Sequence, residues 1–263
     1  MNANFLRFYK KWSLTIQIIP IVVFVMLLKY GVHVLGWEII GSNPYLSSLL
    51  AATVFLIGFL ITGVLADYKE SEKLPGELAS SLETLADEAQ IIYMNKKDPK
   101  AREFVAYLKE FAQTLEEWFY HRVKTIDLLD KLRGFNGYFA AFESSAQATF
   151  VTRMKQEQHA IRRNITRIHT VSETSFISSG YAIAEGISVL VLLSIILTKL
   201  DPFYESMFFV VPVAYLLVYM IALIRDLDNP FEYSDKGERR EEVSLKEVHD
   251  EVERLAMRMR ELE

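Results

Sequence analysis

The 263-residue chain is 51% hydrophobic and 24% charged with a net charge of −5, so its apolar and charged residues must be segregated along it rather than blended as in a soluble domain. It has no cysteine, which excludes a disulfide framework, a thiolate nucleophile and a Cys-ligated metal site. Only 11 glycines and 7 prolines interrupt a chain rich in Leu, Ile, Ala, Glu and Lys, and this composition favours an all-α fold.

The first apolar segment, Leu14 to Leu28, is broken only by Thr15 and Gln17. Lys29 and His33 follow where long side chains could snorkel to an interface, and continuation to about residue 35 gives a span over 13–35. Its length, with no small-residue cleavage site before Tyr30, argues against a cleaved signal peptide. Leu46 to Ala66 is an uncharged run of 21 residues, and about 20 cross a hydrocarbon core. Residues 1–66 therefore read as a transmembrane hairpin with spans at 13–35 and 46–66.

Residues 67–175 read as a cytoplasmic helical bundle. Leu74, Leu78, Leu82, Leu85 and Ile92 recur at helical spacing after the second span, with Pro75 expected to bend or break the helix. Lys96 to Lys100 reads as a loop, and Phe104, Leu108, Phe111, Leu115 and Phe119 form the stripe of a second helix. A short helix around Thr125 to Leu132 ends at Gly134, and Tyr138 to His169 predicts one long helix feeding directly into the third span. Residues 176–225 form a second hairpin with spans at 176–198 and 206–225, the first carrying Glu185. In the tail, 226–263, the residues Leu245, Val248, Val252, Leu255, Met259 and Leu262 make an amphipathic helix with Ser244 and Glu247 placed as a capping box. That helix either docks on its own domain or self-associates.

Arg7, Lys10 and Lys11 precede the first span, whereas Lys29 and Lys199 are the only Lys or Arg in the two hairpin connections. This bias places both termini and the central domain on the cytoplasmic side of the cell membrane. Polar chemistry is sparse. His33, His121, His159, His169 and His249 never adopt a metal-ligand spacing, and neither a nucleophile elbow nor a phosphate loop is present, so no catalytic residue, metal or cofactor is expected. Glu185 is the one acid inside a span, where an unpaired carboxylate costs about 2.5–3.5 kcal/mol. It is either a pore-facing or proton-linked site, or an interfacial acid with a partner. Arg162, Arg163 and Arg167 lie on a basic stretch that could concentrate anions at a vestibule, contact anionic lipid, or form a solvated face. The stretch is short and adjoins a span, which gives nucleic-acid binding little support.

Gly58-Phe59, Leu65-Ala66-Asp67-Tyr68 and Glu72-Lys73-Leu74-Pro75 resemble the bestrophin pattern at the cytoplasmic exit of its second transmembrane helix. Asn229-Pro230-Phe231 resembles the Asn-Pro-Phe that follows the last transmembrane helix of that family. Span number, the long insertion between spans two and three and the basic-aromatic stretch Phe8 to Trp12 extend the resemblance over most of the chain. It implies a prokaryotic bestrophin-like anion (chloride) channel: a homo-oligomer, pentameric in the family, in the lipid bilayer, passing inorganic anions through a ring of second helices. The family's hydrophobic neck of three residues one turn apart then falls on Ala51, Phe55 and Phe59, with Ala51 leaving the outer ring wider. Animal bestrophins follow Asn-Pro-Phe with Gly and an acidic run that helps hold calcium. Here the continuation is Glu232-Tyr233-Ser234-Asp235-Lys236, a poor oxygen supply for a hard cation. The alternative to a channel is a non-conducting membrane-anchored helical scaffold. The charge bias predicts that topology reporters fused after Lys131 and after Glu263 both read out from the cytoplasm, and a signal from the outer face at either position would refute the four-span arrangement.

Overall fold

The computed structural model describes residues 3–41, 43–144, 146–173, 178–233 and 242–261. Its elements in chain order are α1 (Ala3–Val34), β1 (Ile40–Gly41), α2 (Pro44–Ser71), α3 (Leu74–Lys96), α4 (Pro99–Phe119), α5 (Thr125–Arg133), α6 (Phe135–Phe142), α7 (Ala148–Glu173), α8 (Ser178–Leu197), β2 (Thr198–Lys199), α9 (Phe203–Asp228) and α10 (Lys246–Glu261). Segments long and apolar enough to cross a membrane lie at Trp12–Val34, within Pro44–Lys96, at Ser179–Leu197 and at Phe203–Asp228. The protein is an all-α polytopic membrane protein, the helix being the form that satisfies every backbone polar group within one segment of a lipid-immersed chain.

The chain divides into two compact units, Met1–Tyr68 with Ser175–Asn229 and Lys69–Thr174 with Pro230–Glu263. In the first, Ile57, Leu60 and Val64 of α2 pack with Ala184 and Val191 of α8 and Leu217, Ile224 and Leu227 of α9. Val25 of α1 joins Ile196, Val210 and Ala214 in a second cluster. The outward faces stay apolar: Ile16, Ile19, Phe24 and Leu27 of α1 are exposed, as hydrocarbon contact requires.

Lys29 does not snorkel to an interface. Its side chain is 0% exposed, and Nζ donates to Glu38 Oε1 at 2.6 Å, to the Ile196 carbonyl at 3.1 Å and to the Thr198 carbonyl at 2.5 Å. The other carboxylate oxygen of Glu38 lies 2.9 Å from His33 Nδ1, and the His33 ring stacks on Phe203 at 3.9 Å between centroids. Beside this cluster β1 and β2 pair in parallel, Ile40 opposite Thr198 and Gly41 opposite Lys199. One buried cation thus clasps the α1–α2 connection to the end of α8.

In the second unit, local chemistry explains each boundary. α2 stops at Ser71 and α3 resumes at Leu74 with Pro75 in its first turn, where a missing N–H leaves no helical bond unmade. Lys97 closes α3 in the left-handed conformation, φ 53°, and Asp98 caps α4 by accepting from the Lys100 N–H at 2.9 Å. The predicted stripes of α3 and α4 are buried, and Phe104 centres an aromatic cluster with Phe135, Phe139 and Phe142 at 5.3, 5.6 and 5.8 Å.

The single helix expected from Tyr138 to His169 is two helices. The Ser144 hydroxyl donates to the Ala141 carbonyl at 3.0 Å, local competition of the kind that ends helices. The two halves also bury different faces: Phe139 and Phe142 of α6 turn toward α4, while Met154, Ile161, Ile165 and Ile168 of α7 belong to a helix that packs on α3. Continuation of α7 into the third span falls on 174–177, outside the described residues.

α10 docks on α3 and α4 of its own chain. Val248, Glu251 and Leu255 are buried, His249 Nδ1 lies 2.6 Å from Glu116, and Arg258 pairs with Asp87 and with Glu83. Of the apolar stripe, Leu245, Val248 and Leu255 are buried in this docking, and Val252 and Met259 are half-buried. Ser244 accepts from the Lys246 N–H at 3.3 Å, and Leu262 lies outside the described residues.

Two pH dependences of opposite sign follow. Burial alone would push the Glu38 carboxyl up, but hydrogen bonds and charge from Lys29 and His33 hold it below its ordinary 4.5. The clasp's contribution is therefore present above about pH 4.5 and declines as pH falls through the lower folded-state value. Lys29→Met, which strands a buried carboxylate, is expected to cost about 3–5 kcal/mol in detergent melts at pH 7 and less at pH 3. Glu251 is the reverse: burial pushes it up, against the hydrogen bond from Arg254. A raised acid stabilises below its unfolded value and loses that contribution as pH rises through the folded one. Glu251→Gln should raise the melting temperature at pH 8 and flatten its slope between pH 5 and pH 8; a lower, equally steep profile would refute this.

Candidate pore helix and its polar neighbours

On α2 the three candidate neck residues share one side. Ala51, Phe55 and Phe59 are all exposed, the two rings at 77% and 70%, and they follow one another at the four-residue step that keeps side chains on one helix face. The opposite side carries the buried Thr53, Ile57, Leu60 and Val64. Two phenylalanines thus project from the helix that supplies the core of this unit.

Between residues 48 and 66 the other exposed positions on that side, Ser48, Ala52, Thr62 and Ala66, are small or hydroxylated. The Ser48 and Thr62 hydroxyls donate to the Pro44 and Gly58 carbonyls at 3.0 and 2.9 Å, within their own helix. α1 presents instead a dense row of Ile, Phe and Leu. The two surfaces differ in kind, the first with two bulky rings set among small and hydroxylated residues and the second uniformly large and apolar. Gly58 has open space where a Cβ would stand, so its place beside Phe59 reflects no local crowding.

Glu185 has a partner that sequence reading did not name. Arg225, near the end of α9, donates through Nε and Nη2 to Glu185 Oε1 at 3.1 and 2.5 Å. The two reside on different helices 40 residues apart in the chain, so no spacing rule could have linked them. One turn before Glu185 along α8, the Tyr181 hydroxyl donates to Asp228 Oδ1 at 2.6 Å. Glu185 thus sits where the end of α9 brings a guanidinium, an arrangement that lowers the cost of a carboxylate within a span.

Of the basic residues on α7, Arg167 forms a two-pronged pair with Glu70 at 3.0 Å for each bond. Arg163 is exposed and Arg162 half-buried. Upstream, Arg153 reaches the buried Glu88 at 3.1 Å. The basic stretch is therefore partly consumed in joining α7 to the acids of α2 and α3. Among the described residues, no group of three or more His, Asp or Glu could hold a metal ion.

The Asn-Pro-Phe segment closes α9. Asn229 follows its last turn, with Oδ1 buried and without a hydrogen-bond partner among the described residues. Pro230 is buried and its carbonyl accepts from the Val243 N–H at 3.1 Å. Phe231 is 2% exposed and packs near the Phe119 ring at 6.3 Å, while the Tyr233 hydroxyl donates to the Val243 carbonyl at 2.7 Å. Pro230 and Phe231 are thus packed within the second unit. Ser234, Asp235 and Lys236 lie outside the described residues.

No family model matches the sequence, and no curated protein matches it. Solved structures do. A bacterial bestrophin homolog from Klebsiella pneumoniae carrying a point mutation superimposes with a TM-score of 0.76 at 16% identity, over 92% of this chain and 98% of that one. The same homolog solved by zinc phasing gives 0.71 at 15%, covering 93% and 98%. A structure described as a membrane protein with a point mutation gives 0.75 at 16%, covering 92% and 98%. At these identities the likeness is one of fold, and the chain has the bestrophin-like fold over nearly its whole length.

Proposed function

We propose that this protein is one subunit of a passive ion channel, in which copies of α2 line a central pore and Ala51, Phe55 and Phe59 form a hydrophobic neck. The observation that carries this is the outward stripe of α2: two exposed phenylalanines one turn apart, set among Ser, Thr and Ala, on a helix whose other side is core. A single chain offers such a stripe no lumen, so the function requires a closed ring of identical subunits, a pentamer if the family resemblance of the sequence carries over. Four spans then place both termini on one side, which the Lys and Arg bias makes the cytoplasmic face of the cell membrane.

In such a ring the neck gates by dewetting, and ions that shed water easily cross it more readily. The permeant species proposed is an inorganic anion, chloride or a larger halide, with Arg162 and Arg163 as the residual basic charge of a vestibule. A cation-passing pore is the second reading. It is favoured by the pairing of Arg167 with Glu70 and of Arg225 with Glu185, which removes much of the local positive field. The scaffold reading makes the phenylalanines ordinary lipid contacts.

Phe55→Ala combined with Phe59→Ala widens the neck and should raise halide flux in proteoliposomes severalfold, with size analysis confirming an intact oligomer. Reversal potentials under opposed chloride and sodium gradients assign the sign of the carried charge. Wild type and double variant both impermeable to halides and to sodium, while correctly assembled, would leave the scaffold.

A further inference from the structure

A second feature of the membrane unit lies apart from the outward stripe of α2. Helices α1, α8 and α9 enclose an open groove of about 420 Å³, walled by Ile21, Val189, Leu192, Leu217 and Ile221. At one end stand Glu185 and Arg225, with Gln17 beside them. From Arg225 to Leu217 is roughly 12 Å along α9, so the groove runs from a charged mouth into the depth of the span.

The mouth and the wall each carry polar groups that the protein leaves unused. Both Arg225 donors converge on Glu185 Oε1, so Oε2 and the rest of the guanidinium keep no other partner among the described residues, and both side chains stay partly exposed. Ser188 lines the groove, is 2% exposed, and its hydroxyl has no hydrogen-bond partner among the described residues. On the same helix Ser194 and Thr198 return their hydroxyls to carbonyls one turn back, at 2.7 and 2.6 Å. A buried hydroxyl without a partner is costly, and this one belongs to a residue that lines the groove.

We propose that this groove is a binding site for one zwitterionic phospholipid of the surrounding bilayer, with an acyl chain between α1, α8 and α9, the headgroup phosphate on Arg225 and the headgroup ammonium on the free oxygen of Glu185. Three constraints select that occupant. The walls are apolar and belong to membrane-spanning helices, so the filler comes from the bilayer. The mouth is a charge pair of zero net charge, which complements a headgroup bearing both signs, whereas a purely anionic headgroup would place its charge beside Glu185 without compensation. The acyl ester oxygens lie between headgroup and chain, the depth at which the Ser188 hydroxyl can donate. The site binds whether or not the protein conducts.

The test uses the full-length protein purified after exposure to equimolar phosphatidylethanolamine and phosphatidylglycerol, with retained lipid read by native mass spectrometry. Wild type is expected to retain phosphatidylethanolamine preferentially. Val189→Trp fills the groove from an exposed position and should abolish that retention; Ile21→Trp, also at an exposed position, does the same from α1 if the first variant fails to assemble. Glu185→Gln leaves the mouth positive and should shift the preference toward phosphatidylglycerol by about tenfold, the scale of one charged hydrogen bond. Retention of both lipids in the supplied ratio by wild type would overturn the proposal. So would unchanged retention in the filled variants, or no lipid at all because a second copy of the chain covers the groove.

Discussion

A lysine ammonium removed from water has three N–H donors to place, and at Lys29 three oxygens receive them: one carboxylate and two carbonyls. The two carbonyls lie at the end of α8 and at Thr198, the first residue of β2. The carboxylate comes from the α1–α2 connection, so one buried charge sets the distance between the two hairpins at that end of the membrane unit. Inside lipid the hydrophobic effect does not drive helices together, and association rests on packing and hydrogen bonds. A clasp of this kind therefore carries a larger share of the specificity than it would in a soluble bundle.

The orientation of α2 follows from that arrangement. Its N-terminus is tethered through the strand pair beside the clasp, and Ile57, Leu60 and Val64 lock its inner side against α8 and α9. Rotation about its axis is then fixed, and Phe55 and Phe59 have only the outer side left. Exposed phenylalanine at these heights, flanked by small and hydroxylated residues, makes a surface unlike the lipid-facing row of α1. Copies of α2 brought together around an axis would convert it into a constriction.

Charge in this protein works mainly as mortar. Arg153, Arg167 and Arg225 each meet a carboxylate on another helix, and α10 is held by His249 and Arg258 as well as by its apolar stripe. Part of the basic stretch of α7 is thereby compensated by acids of α2 and α3. The positive charge left uncompensated is smaller than the residue count implies.

Hydropathy and helical periodicity determined most of the secondary structure: the apolar spans, the stripes of α3 and α4, the helix of the tail, and the faces on which Ala51, Phe55 and Phe59 align. These properties are local, since a span needs only length and an amphipathic helix only spacing. The tertiary structure decided everything that depends on partners distant in sequence. It made Lys29 a buried clasp rather than a snorkelling side chain, because Glu38 and the carbonyls of Ile196 and Thr198 converge only when the hairpins pack. It gave Glu185 its arginine, placed the tail helix on α3 and α4, and split the predicted long helix after Phe142 because its two apolar stripes face different neighbours. Side-chain chemistry announces the need for a partner, and only the packed chain supplies the identity of that partner.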